Sequence, residues 1–179
     1  GPLKEAIADY EHTKKEYLIC GNGAADLIFS LSRALNLKKA LLPAPTFAEY
    51  EQALVSVGCE ISRYYLKEEN DFCIQEDYPN VLKREKPDII FLCNPNNPTG
   101  ITIPRDLLEK ILETCAVQGI FMVVDECFLD FVKEPEKHTL KKKLEKYPGL
   151  FILKAFTKRY AIPGVRLGYG FCSEGEVLD

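Results

Sequence analysis

Three apolar runs in this sequence each lead into a group that can do chemistry. Residues 88–93 (DIIFLC) run into Asn94-Pro95-Asn96-Asn97-Pro98-Thr99-Gly100, residues 120–124 into Asp125-Glu126, and residues 150–153 into Lys154-Ala155-Phe156-Thr157-Lys158. If the three runs lie side by side as strands, an amide, a carboxylate and an amine reach one edge together. The familiar alternatives are poorly supplied. The chain has only two histidines, His12 and His138, both among charged neighbours, which leaves little for a Ser-His-Asp or His-rich zinc mechanism. Its seven cysteines are odd in number and none stands in a C-x-x-C pair, so they read as buried thiols of a reducing compartment and not as a disulfide or metal framework. No metal site is expected, and the chemistry must rest on other groups or on a bound cofactor.

The elements that would position these groups alternate in type. Residues 24–35 put Leu27, Ile28, Leu31 and Leu35 on one helical face. Residues 39–42 read as a short strand ending in Pro43-Ala44-Pro45, residues 47–57 as a helix stopped by Gly58, and residues 61–66 as a strand. Residues 88–93 are apolar almost throughout, as in a strand covered on both faces. Residues 104–117 form a helix with Pro104 in its first turn and Leu107, Leu108, Ile111, Leu112 and Cys115 on one face. Residues 120–124 and 150–153 are further strands, and 167–172 could be one more. The lysine-rich stretch 133–146 reads as a solvated helix or loop, and Gly1-Pro2 carries no structural weight.

Strands alternating with helices predict an α/β fold, a three-layer α/β/α sandwich with a mostly parallel sheet. Ligands in such sheets sit beyond the carboxyl ends of the strands, where the polar motifs fall. The 179 residues suit one domain, and a net charge of -4 gives no electrostatic case for nucleic acid or an acidic membrane surface. No apolar run is long enough for a transmembrane helix and there is no signal-like start, so a cytoplasmic protein is expected.

The motifs, taken in order, resemble the class I/II pyridoxal-phosphate (PLP) aminotransferases of fold type I. The resemblance covers nearly the whole chain. It rests on Gly21-Asn22-Gly23-Ala24-Ala25-Asp26, Pro45-Thr46-Phe47, Asn94 to Gly100, Val123-Val124-Asp125-Glu126, and Phe156-Thr157-Lys158 followed by Gly164-Val165-Arg166-Leu167-Gly168. Any one piece is weak, because Asn-Pro turns are common. Five in the family's order, each at a predicted strand end, are a strong signal.

The resemblance implies a role for each residue, beside a plainer one. Lys158 would form a Schiff base with PLP, since an amine in a partly dry pocket sheds its proton more readily and can attack an aldehyde; otherwise it is a surface lysine. Asp125 would pair with the pyridine nitrogen and keep the ring an electron acceptor; otherwise it caps a helix or joins a buried ion pair. Asn97 would donate to the ring's phenolic oxygen, or serve only its turn. Gly23, Ala24 and Ala25 open a helix whose free amides and positive end suit the cofactor phosphate, or merely start that helix. Arg166 matches the family arginine on the phosphate. Phe47 matches the aromatic residue stacked on the ring, with core packing as the competing use.

Three departures from the family pattern stand out. Phe128 occupies a position where the family often has a tyrosine that donates to the phenolic oxygen. Ala155 replaces a serine or threonine on the phosphate, leaving Thr157 as the nearer hydroxyl. Against the family fold, an N-terminal arm before Gly1 and a small domain after Asp179 are expected to be missing, so residues 1–179 correspond to the PLP-binding large domain. Residues 156–169 and 125–131 look like threonine-phosphate decarboxylases of cobalamin biosynthesis, whose close relative is histidinol-phosphate aminotransferase. The resemblance thus implies a PLP enzyme acting on a small amino substrate, phosphorylated or not, as a homodimer in the full-length protein. The competing readings are a non-catalytic PLP-binding module of a regulator, which needs a DNA-binding segment elsewhere, and a plain α/β domain with coincident motifs.

Overall fold

The computed structural model describes residues 1–156, 158 and 166–178. The strand-like runs pair into one seven-stranded sheet in the order β1-β7-β6-β5-β4-β2-β3. The strands are β1 Leu18–Gly21, β2 Lys39–Ala44, β3 Glu60–Tyr65, β4 Ile89–Cys93, β5 Phe121–Asp125, β6 Leu150–Ala155 and β7 Gly168–Phe171. Strands β3, β2, β4, β5 and β6 are parallel, while β7 runs antiparallel to both β6 and β1. The mostly parallel sheet expected from the sequence is therefore present.

Side-chain alternation explains the layering. Ile90, Leu92, Met122, Val124, Leu150 and Ile152 enter one apolar cluster, and Ile89, Phe91, Val123, Phe151 and Leu153 enter another. Successive residues of a strand point to opposite faces, so the two clusters are the two sides of the sheet. Helices α1 (Pro2–Glu11), α4 (Tyr78–Glu85) and α5 (Arg105–Gln118) cover the first face through Ile7, Leu82 and Leu108. Helices α2 (Ala24–Ala34) and α3 (Ala48–Ser56) cover the second through Ile28 and Leu54. Every residue of β4 is buried, as a strand with both faces covered requires.

Several boundaries and elements differ from the sequence reading. Strand β2 runs on to Ala44 with Pro43 inside it. The carbonyls of Lys38 and Ala44 serve β3 and that of Lys39 serves Asp88, so odd-numbered residues face β4. Pairing with β4 ends at Leu41, and the missing Pro43 N–H falls beyond it. Helix α1 starts at Pro2, whose fixed φ suits a first helical position, so the opening dipeptide does have a structural role. Strand β1 is too short to show a period, and α4 shows only one turn of apolar spacing, Tyr78, Val81 and Leu82. The stretch 133–146 is not simply a solvated surface. Thr139, Leu140 and Leu144 are buried, and Lys141 pairs with the buried Glu11 at 2.8 Å. Charge counting hid these few apolar anchors. Among the described residues no helix is long and apolar enough to cross a membrane.

Strand β7 approaches α2 closely at Gly168. A Cβ there would lie 2.3 Å from the Gly23 carbonyl carbon and 2.4 Å from the Ala24 nitrogen. Both neighbours are backbone, so no rotamer change relieves the clash. Gly168→Ala is expected to cost about 3 kcal/mol, read as a fall in Tm of roughly 6–12 °C. A melting curve matching the parent's would contradict this packing.

Candidate active site

A cavity of about 310 Å³ opens where the carboxyl ends of the parallel strands meet the first turns of α2 and α3. Gly23, Ala24, Ala25, Phe47, Asn97, Asp125, Lys158 and Arg166 all line it. Eight of the nine sequence-predicted residues therefore converge on one space; the ninth, Thr157, lies outside the described residues. Ala155 and Phe128, where the chain departs from the family pattern, line the same cavity. So do Glu49, Cys93 and Cys127, which the sequence did not single out.

One end of the cavity suits an anion. Gly23 stands at the N-cap of α2 with φ 91, a conformation that disfavours any residue with a Cβ. Its missing side chain leaves an open approach: the Arg166 guanidinium lies 3.8 Å from where a Cβ would be. The first amides of a helix lack partners within it and carry a partial positive charge. A guanidinium fork and a helix start thus face the same space, which fits a phosphate group.

Asp125 forms the opposite character. Its residue is 4% exposed. One carboxylate oxygen, Oδ1, accepts the Cys127 N–H at 2.9 Å, and Oδ2 accepts the Tyr50 hydroxyl at 2.5 Å. No lysine, arginine or histidine nitrogen lies within 4.0 Å among the described residues. Asp125 thus caps the turn at Cys127 and not a helix, and among the described residues it joins no ion pair. A buried carboxylate without a cation is costly. A protonated ring nitrogen in the cavity would supply the missing charge, so this donor set fits a pyridinium.

The asparagines of the 94–100 turn divide their work. Asn94 Oδ1 accepts the Ile103 N–H at 2.9 Å. Asn96 donates to the Pro45 carbonyl at 3.0 Å and accepts from the Thr46 hydroxyl at 2.8 Å, tying this turn to the start of α3. Asn97 is the one that lines the cavity. Phe47 lines the cavity and also packs on the core, edge-on to Tyr50 at 5.5 Å.

The partly dry pocket expected around Lys158 is not formed by the described residues. Lys158 is exposed, and its Nζ sits 5.2 Å from the centre of the Phe128 ring. The amine lies at the cavity's rim against an aromatic face, where the ring quadrupole attracts a cation. The thiols are not competing nucleophiles. Burial and the nearby Asp125 charge push the Cys93 thiol up to about 12 and hold that of Cys127 well above its usual range. Both stay protonated near neutral pH. The strand positions of Cys93 and Asp125, paired across β4 and β5, could have flagged Cys93 in advance. Tyr50 sits three residues after Phe47, on the inward face of a helix that the sequence did indicate.

Glu126, next to Asp125, faces away from this cavity and is 1% exposed. It accepts the Thr139 hydroxyl at 2.8 Å and the Leu140 N–H at 3.1 Å. Burial pushes its carboxyl up to about 7 from 4.5, against the pull of those hydrogen bonds and of Lys154 and Lys141. Between these values the folded chain keeps a proton that the unfolded chain has released. Stability therefore falls as pH rises through that window and levels off above it. Glu126→Gln is expected to remove this fall, checked by urea midpoints at about pH 5 and about pH 8. An unchanged pH dependence would contradict the assignment.

Comparison with known proteins agrees with this geometry. The family model for aminotransferase class I and II matches residues 2–179. Threonine-phosphate decarboxylase of Salmonella typhimurium strain LT2 is 37% identical over 169 residues, 93% of this chain and 45% of that protein. A histidinol-phosphate aminotransferase of Ruminiclostridium cellulolyticum is 32% identical over 177 residues, 96% of this chain and 47% of that protein. The crystal structure of the histidinol-phosphate aminotransferase from Clostridium acetobutylicum matches with a TM-score of 0.87 at 31% identity, covering 98% of this chain and 51% of that one. The chain spans about half the length of the curated relatives it matches.

Proposed function

The chain belongs to the class I and II aminotransferase family, and on that premise we propose that residues 1–179 are the PLP-binding large domain of an enzyme acting on a small phosphorylated amino substrate. The first reading is a threonine-phosphate decarboxylase of cobalamin biosynthesis. The observation that carries the PLP assignment is Asp125: a buried carboxylate with no cation beside it among the described residues, lining the same cavity as Lys158, Arg166 and Gly23.

Bound PLP supplies an electron-accepting ring that weakens the bonds at the carbon bearing the substrate's amino group. The chain's residues supply the rest. Arg166 and the amides of Ala24 and Ala25 bind the phosphate at the start of α2. Asp125 holds a proton on the ring nitrogen, with its own carboxylate fixed by Tyr50 and Cys127. Asn97 donates to the phenolic oxygen, without a tyrosine at position 128 to share that contact. Phe47 supplies a flat apolar wall. Lys158 would hold the cofactor's aldehyde end through Nζ, and the same amine would carry a proton to and from the substrate.

Where the reacting carbon bears a carboxylate, its direction decides between loss of carbon dioxide and transfer of the amino group; histidinol phosphate has no carboxylate to lose and can only transfer its amino group. Support for the first comes from the motif likeness in residues 125–131 and 156–169 and from the 37% identical decarboxylase. The histidinol-phosphate aminotransferase relative supports the second. A product assay on the full-length protein separates them: carbon dioxide from threonine phosphate is expected, and transamination of histidinol phosphate with 2-oxoglutarate alone would favour the second. We read the full-length enzyme as a cytoplasmic homodimer. The seven free thiols support a reducing compartment, and the family resemblance supports the dimer, which sedimentation would check.

A further inference from the structure

We propose that Tyr50 is a positioning residue whose hydroxyl holds the Asp125 carboxylate toward the cavity for the ring nitrogen. This inference rests on the PLP reading above and adds to it a group that lies outside the cavity lining. Tyr50 is fully buried on the first turn of α3. Its ring stacks on Phe91 of β4, with centroids 4.9 Å apart and an interplanar angle of 18°. It meets Phe47 edge-on at 5.5 Å and 81°. Two ring contacts thus set the tilt of the phenol. Strand register sets its target, because Cys93 of β4 pairs directly with Asp125 of β5.

The hydroxyl can act only as a donor to this partner. A carboxylate oxygen without a proton accepts and cannot give. Burial, and then the charge of Asp125, hold the phenol well above its usual range, so it keeps its proton. Cys127 N–H occupies the other oxygen. With one donor on each oxygen the carboxylate cannot turn about its Cβ–Cγ bond without losing a buried hydrogen bond to a charged group. Its remaining lone pairs are then left for the cavity. The same tyrosine touches Phe47, so the stacking wall and the carboxylate are held by one side chain.

Tyr50→Phe removes a single oxygen and keeps the ring, so the core should stay packed. In the full-length protein the Kd for PLP is expected to rise about tenfold. The pH at which the absorption band of bound PLP changes is expected to shift with it. Leu54→Val, on the same buried face of α3, serves as the control. It should lower Tm but leave the Kd and the absorption profile as in the parent. Tyr50→Phe with parental Kd and absorption profile would overturn the proposal. So would equal changes in Leu54→Val, since the effect would then be one of packing. Failure of the parent protein to take up PLP would instead refute the underlying reading, and the inference with it.

Discussion

Lys158→Ala is expected to lower product formation by about 10⁴-fold or more while leaving PLP bound without a covalent link. Two features of the site separate the amine's role from that of the binding groups. Lys158 stands at the rim over Phe128, whereas the proposed phosphate cradle at Gly23 and Arg166 and the carboxylate of Asp125 belong to other elements. Truncation therefore removes the nucleophile and the proton carrier but no part of the cradle. Dialysis against PLP-free buffer reads retention, and a product assay reads turnover. Full activity in the variant would refute the assigned role. Loss of the fold is not expected, because the side chain is exposed.

Asp125→Asn is expected to have the next largest effect, a fall in turnover of about 10³-fold. Asparagine keeps the shape and can still accept the Cys127 N–H through its oxygen, while its nitrogen can donate to the Tyr50 hydroxyl oxygen. What disappears is the negative charge opposite the ring nitrogen. The PLP-free protein should hold its stability or gain slightly, since a buried charge with no cation beside it among the described residues has been removed. Stability and activity moving apart in this way distinguishes a cofactor contact from a structural one. The urea midpoint of the PLP-free variant and its steady-state rate are the two measurements. A variant that loses stability and rate together would mark Asp125 as a core residue.

The central architecture was legible because its signals are local. Strands β4 and β5 are buried on both faces and show it in unbroken apolar runs. Their terminal Asn and Asp motifs point to the edge where the cavity forms. The glycine before α2 was legible as a helix start, and its φ of 91 explains why that position needs a glycine. Contacts between distant elements were not legible. The Tyr50–Asp125 hydrogen bond spans 75 residues, and no spacing rule links a helix tyrosine to a strand aspartate. The Glu11 cluster is similar: Lys141, Lys154 and Tyr169 reach it from positions more than a hundred residues away. Such pairs arise from sheet order, which β1 and β7 close at one side of the sheet in antiparallel fashion. Among the described residues Lys158 is exposed, because dryness at the rim depends on what surrounds it and not on the strand that leads to it.

The most direct test of the account is borohydride reduction of the full-length, PLP-loaded protein followed by peptide mapping. Reduction converts a lysine-bound aldehyde into a stable secondary amine, so the attachment point survives digestion. The account predicts one labelled peptide, carrying PLP on Lys158, and no label in Lys158→Ala. Label on a different lysine, or a loaded protein with no label on Lys158, would contradict it.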